Sequence, residues 1–166
     1  MASEHARLDH LLGEASERAG IAVIESYQQF REGLLRHISI EEKILLPAAQ
    51  RCGGGAPLPL AGRLRLDHGA LATLMMLPPS GSTFRAVRAV LDAHNPLEES
   101  PGGAYERCEG LIGPELDDLL VRCEIAPQVP VSPWVDSSKV VAAAQRVLLR
   151  AGYGSILLND RQNLLR

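Results

Sequence analysis

Apolar residues recur every three or four positions along most of this chain, which is the spacing of one face of an α-helix. The first run is Leu8, Leu11, Leu12 and Ala15, with Ser3 placed to cap it and Gly20 to break it. A longer run follows through Ile21, Ile24, Tyr27, Phe30, Leu34, Leu35, Ile38 and Leu45. It stops before Gly53, Gly54 and Gly55, and Pro57 and Pro59 extend that loop. The third run is Leu60, Leu64, Leu66, Leu71, Leu74 and Leu77, closed by Pro78, Pro79 and Gly81. Ser82 is then placed to cap a fourth helix carrying Phe84, Val87, Val90, Leu91 and Leu97. No alternation is long enough to predict a strand. The pattern predicts an all-α chain, an antiparallel up-down-up-down four-helix bundle.

Beyond Glu99 the pattern is interrupted by Pro101, Gly102 and Gly103, then resumes from Tyr105 to Ile112. Pro114 begins another short helix that ends near Cys123. Pro127, Pro130 and Pro133 make an extended linker, and Ser137 starts a last amphipathic helix ended by Gly152. Residues 1–125 therefore form the bundle, and residues 126–166 a Pro-rich linker and a C-terminal helix packed on it. The final stretch ILLNDRQNLLR leaves the chain open to be a monomer or a homodimer.

Length and composition narrow the function. The chain has 166 residues, enough for one full core. Its formal net charge of -3 offers no basic field for nucleic acid or an anionic membrane. No apolar stretch approaches the length of a membrane span, and the N-terminus lacks the pattern of a signal peptide. Cys52, Cys108 and Cys123 are odd in number and form no paired motif, which fits a reducing cytoplasm and predicts buried, inert thiols.

The histidines carry the chemistry. His5 and His37 are equidistant from position 21, His37 and His68 from Cys52 and Gly53, and His68 and His94 from Gly81. In an up-down bundle, residues equidistant from a connecting turn lie at one height. Carboxylates join that layer. Asp9, Glu41 and Glu98 each follow a histidine by four residues and so share its helix face. With 20 acids in the chain, chance supplies an acid at that offset for fewer than one histidine in seven, yet four of the five have one, Glu14 after His10 being the fourth. Imidazole and carboxylate together suit iron, manganese or zinc. Four histidines and two glutamates exceed one closed tetrahedral zinc. Two metals fit if Glu41 and Glu98 bridge them.

The stretches HISIEEKILLP (37–47), LRLDHGALATLM (64–75) and LDAHNPLEES (91–100) resemble the hemerythrin-like, or HHE cation-binding, domain, and EHARLDHLL (4–12) resembles its first helix. The resemblance covers roughly residues 3–123. It implies a hemerythrin-like bundle with a non-haem di-iron centre held by His5, His37, Glu41, His68, His94 and Glu98. It also implies binding or sensing of dioxygen, nitric oxide, peroxide or iron rather than dedicated catalysis. An oxidase or peroxidase acting through the same irons, and a helical interaction module with a structural metal, are the competing readings. Oxygen-carrying members have a further histidine one turn along the third helix, where this chain has Ala72. Asp9 is the better candidate for a substitute ligand, since His10 points about 140° away from His5. Pro96, between His94 and Glu98, predicts a bend or local unwinding of the fourth helix. Glu42 and Glu99 are expected to be solvated or to support the ligands, and Tyr105, Met75 and Met76 to fill the core.

Overall fold

The computed structural model describes residues 2–17 and 21–158, which are mainly helical and contain no strand. Helix α1 spans Ala2–Glu17, α2 Ile21–Ile40, α3 Leu46–Cys52, α4 Ala61–Leu74 and α5 Gly81–Glu99. Then come α6 Ala104–Ile112, α7 Leu116–Glu124 and α8 Ser138–Arg150. A π-helical turn at Glu41–Leu45 joins α2 to α3, and a 3-10 turn at Gly113–Glu115 precedes α7. The expected break at Gly20 and the last eight residues of the chain lie outside the described residues.

Several boundaries differ from expectation. Ser3 lies inside α1 rather than capping it. The cap of α5 is Ser80, whose hydroxyl accepts from the Thr83 amide, and Ser82 is already helical. The long second run continues through the π turn, where the Leu46 amide donates to the Glu41 carbonyl. The wider turn sits just before Pro47, whose ring would clash with the carbonyl of Lys43 in a regular helix. Helix α5 runs unbroken through Pro96, so no local unwinding accommodates it. The proline lies in the last turn and costs the helix a single donor there.

Two apolar clusters flank the histidines. One gathers Leu8 and Leu12 of α1, Tyr27, Phe30 and Leu34 of α2, Leu71 and Leu74 of α4, and Val87 and Val90 of α5. Ala144 and Leu148 of α8 join it, so the last helix packs into the same core. Burying a side chain of this size contributes about 1.5–3 kcal/mol. The other cluster joins Leu45, Leu46, Ala49, Leu64, Cys108 and Ile112. Met75 is buried, but Met76 is 48% exposed and fills no core. Cys108 is buried, whereas Cys52 and Cys123 are half-buried, so the expectation of three buried thiols fails for two of them.

The buried Arg31 and the half-buried Arg36 hold the end of α7 and the proline-rich segment after it. Arg31 donates to the carbonyls of Met75 and Ser132, and Arg36 to those of Cys123, Glu124 and Ala126. Backbone carbonyls that cannot pair in a helix are thereby satisfied. No helix is long and apolar enough to cross a membrane among the described residues.

Candidate metal centre

Five helical segments bring the six expected residues together. His5 comes from α1, His37 from α2, Glu41 from the π turn, His68 from α4, and His94 and Glu98 from α5. None is more than 6% exposed. Their donor atoms fall into two groups, His5, His37, Glu41 and Glu98 in one and His68, His94, Glu41 and Glu98 in the other. Within each group the atoms lie within 4.8 Å of one another. The two histidine pairs are arranged alike, with ring centroids 4.5 Å apart at 66° for His5 and His37 and 4.8 Å apart at 65° for His68 and His94.

The carboxylates belong to both groups because each divides its oxygens. Glu41 Oε1 lies 3.1 Å from His37 Nε2, and its Oε2 lies 3.2 Å from His68 Nε2. Glu98 Oε2 lies 3.4 Å from His5 Nε2, and its Oε1 lies 3.2 Å from His94 Nε2. The i,i+4 spacing places His37 beside Glu41 and His94 beside Glu98, and tertiary packing supplies the opposite partners.

Supporting groups fix two of the rings. Glu99 Oε1 lies 2.6 Å from His5 Nδ1, and Glu42 Oε1 lies 2.7 Å from His68 Nδ1. A carboxylate on Nδ1 holds the proton there and leaves Nε2 free for a metal. Glu42 and Glu99 therefore have a definite structural use. Asp67 is a residue the sequence reasoning missed. It is fully buried, held by Arg63 at 2.8 Å and by the Tyr153 hydroxyl at 2.9 Å, and lies 3.6 Å from His94 Nδ1.

Tyr105 was also missed, since it was expected to fill core. Its hydroxyl donates to Glu41 Oε1 at 2.5 Å and to Glu98 Oε2 at 3.0 Å. It also lies 3.2 Å from His5 Nε2 and 3.5 Å from His37 Nε2. The Pro101–Gly102–Gly103 turn, read in the sequence only as a break, aims it there. Gly102 has φ +75°, and a Cβ on Gly103 would come within 2.7 Å of the carbonyl oxygens of Glu98 and Ser100. Only glycine allows the chain to fold back so closely after Glu98.

The remaining candidates lie elsewhere. Asp9, the expected substitute ligand, is exposed and pairs with Arg88 of α5, so it is not among the converging donors. His10 is exposed and faces Glu14 at 3.8 Å. Ala72 is half-buried, one turn beyond His68.

Charge differs between the two groups. Burial and the neighbouring His37 lower the pKa of His5, although Glu98 and Glu99 oppose them. Burial also disfavours charge on His68 and His94, but carboxylates outweigh it. Glu41, Glu98 and Glu42 push His68 up to about 10, and Asp67 and Glu98 push His94 up to about 9. Burial raises the carboxyls of Glu41 and Glu98, yet the imidazoles hold both below the ordinary range. Tyr105 is raised far above an ordinary phenol by burial and by Glu41 and Glu98.

Each donor group could hold a metal ion. Glu41 Oε2, His68 Nε2 and the Nδ1 atoms of His37 and His94 are buried with no hydrogen-bond partner. Buried polar atoms without partners are costly, and a cation would satisfy those that face the centre. The His5 and His37 Nε2 atoms approach to 2.7 Å. Two donors bound at right angles to one ion, each about 2.1 Å away, stand roughly 3 Å apart. Against known proteins, no family model, no curated protein and no solved structure matches this chain.

Proposed function

We propose that this chain is a hemerythrin-like four-helix bundle, with antiparallel up-down-up-down helices, that holds two non-haem irons and binds or senses dioxygen, nitric oxide, peroxide or iron. His5, His37, Glu41, His68, His94 and Glu98 are its ligands. The observation that carries this reading is that two buried carboxylates each turn one oxygen toward each histidine pair. A surface ion pair needs no such division, and a single metal would not use it.

Bound iron supplies a redox-active centre with coordination positions left for a small ligand. The residues of the chain do the rest. Glu99 and Glu42 orient His5 and His68. Leu8, Leu34, Leu71 and Leu91 wall a void of about 10 Å³ beside His5, His37 and His94. That space holds roughly one water-sized molecule, which favours a diatomic ligand over an organic substrate on this side. Ile38 adds to that apolar wall, and Asp9 and Asn95 are its polar members beside the histidines.

A second reading has its own observation. A cavity of about 420 Å³ lies on Tyr105 and Glu98 and is lined also by Leu45, Leu116, Leu119 and Cys123. Its size suits an organic substrate, as an oxidase or peroxidase would need.

Elemental analysis of protein purified without chelators tests the first reading, together with visible spectra before and after air, nitric oxide and peroxide. Two irons per chain and a spectrum that responds to these ligands are expected. One zinc per chain, or no metal, would overturn it. Turnover of an organic reductant with peroxide, abolished by filling the larger cavity through Leu119→Trp, would favour the second.

A further inference from the structure

The two histidine pairs are alike in themselves but not in what faces them. Three sides of the first group are short: 2.7 Å from His5 to His37, 3.1 Å from His37 to Glu41, and 3.4 Å from Glu98 to His5. The fourth side, between Glu41 and Glu98, is bounded only by the 4.8 Å within which the group's donor atoms lie. The Tyr105 oxygen caps the group, at 2.5 Å from Glu41, 3.0 Å from Glu98, 3.2 Å from His5 and 3.5 Å from His37. In an octahedral site, an axial donor neighbours all four equatorial donors, each roughly 3 Å away for bonds of about 2.1 Å. Neither Tyr27 nor Tyr153 shares this position. Their hydroxyls donate to the Leu77 carbonyl and to Asp67.

We propose that the Tyr105 oxygen is a further protein ligand of the metal held by His5 and His37, which makes the two metal positions chemically unequal. This rests on the di-iron reading above. The first position then has five protein donors, His5, His37, Glu41, Glu98 and Tyr105. The second has four, His68, His94, Glu41 and Glu98, and leaves more room for an exogenous ligand. On ligation the phenol exchanges its O–H bond for an oxygen–metal bond, and the proton passes to solvent. A multivalent cation in the group reverses the effect of the two carboxylates on that proton. The glycine turn supports the assignment. Gly102 and Gly103 together bring α6 back over Glu98, a fold that ordinary core packing of a tyrosine does not require.

The test adds iron(II) to chelator-stripped protein, admits air to oxidise it, and records iron content, visible absorption and resonance Raman spectra. Two irons are expected, with a phenolate-to-iron(III) absorption band and enhanced tyrosine ring vibrations. Tyr105→Phe should keep both irons and lose the band and the vibrations. The Tyr27→Phe/Tyr153→Phe double variant should keep them, and it assigns the signal by elimination should Tyr105→Phe fail to fold. Two bound irons without tyrosine vibrations in the parent protein would overturn the proposal while leaving the di-iron reading intact. A band that survives in Tyr105→Phe, or vanishes in the double variant, would also overturn it. A parent protein that takes up no iron would sink the di-iron reading and this proposal with it, a failure that iron content alone identifies.

Discussion

The two halves of the polar cluster have the same ring geometry and opposite proton economies. Around His5 and His37, the hydrogen is supplied by the Tyr105 hydroxyl, which donates to both shared carboxylates, and His5 is pushed toward its neutral form. Around His68 and His94 no phenol reaches the shared carboxylates among the described residues, and Glu41, Glu98, Glu42 and Asp67 push the imidazoles toward their protonated forms. One half is already capped by an oxygen donor. The other is an imidazole pair braced by Glu42 and Asp67. Identical residue types at matched heights thus give unequal sites, because the groups packed behind them differ.

The largest way to break this comparison is to remove what the halves share. Glu41→Ala should cost both metals, since each histidine pair loses an oxygen. At free metal about a hundredfold above Kd, each lost site lowers stability by about 2.7 kcal/mol. Elemental analysis and thermal melts with and without iron measure it. A variant that kept two irons would show that Glu41 does not bridge.

Acid should separate the halves next. The carboxylates push His68 and His94 up to about 10 and 9, so at neutral pH a metal is expected to displace protons from both. Affinity at the His68–His94 position should rise with pH, by up to about tenfold per unit for each displaced proton. The stripped protein should behave in the opposite sense. Both values lie above the ordinary 6.5, so these protons stabilise the fold fully below pH 6.5. That contribution is lost as the pH climbs through about 9 and 10. Metal titrations from pH 6 to 8, and melts of chelated protein from pH 6 to 10, check the two signs. A pH-independent affinity would contradict this electrostatic picture.

A narrower change sharpens the contrast. Asp67→Asn removes the charge facing His94 Nδ1 and weakens the tie to Arg63 and Tyr153. Loss of such a support typically costs 10–100-fold in metal affinity, and it should fall on one metal while the other stays. Stepwise iron release under a competing chelator would resolve the two. Equal weakening of both would argue that Asp67 acts on the fold instead. The smallest effect is expected from Ala72→His, which adds an imidazole one turn beyond His68 and moves the second half toward the ligand count of the first. Air oxidation of the reduced protein, followed by visible absorption, should slow. An unchanged rate would mean that position 72 does not face the metals.

The helices and most of their ends were legible in the chain, because a 3.6-residue period and the stops at glycine and proline are local properties. The pairing of His37 with Glu41 and of His94 with Glu98 was legible for the same reason, since a four-residue offset on a helix fixes two side chains on one face. Asp9 obeys the same offset from His5 and yet turns to Arg88, because an exposed carboxylate takes the nearest cation across the helix interface. Tyr105 follows Glu98 by seven residues, but across a turn rather than along a helix. No periodic rule predicts where such a residue points. Asp67 meets Tyr153 from 86 residues away. Local hydrogen bonding determines which residues share a face, and that much is written in the sequence. Which faces meet, how Glu41 and Glu98 divide their oxygens, and that a phenol caps one histidine pair alone are decided by packing between distant segments, where the free energy depends on atoms that no short stretch of chain contains.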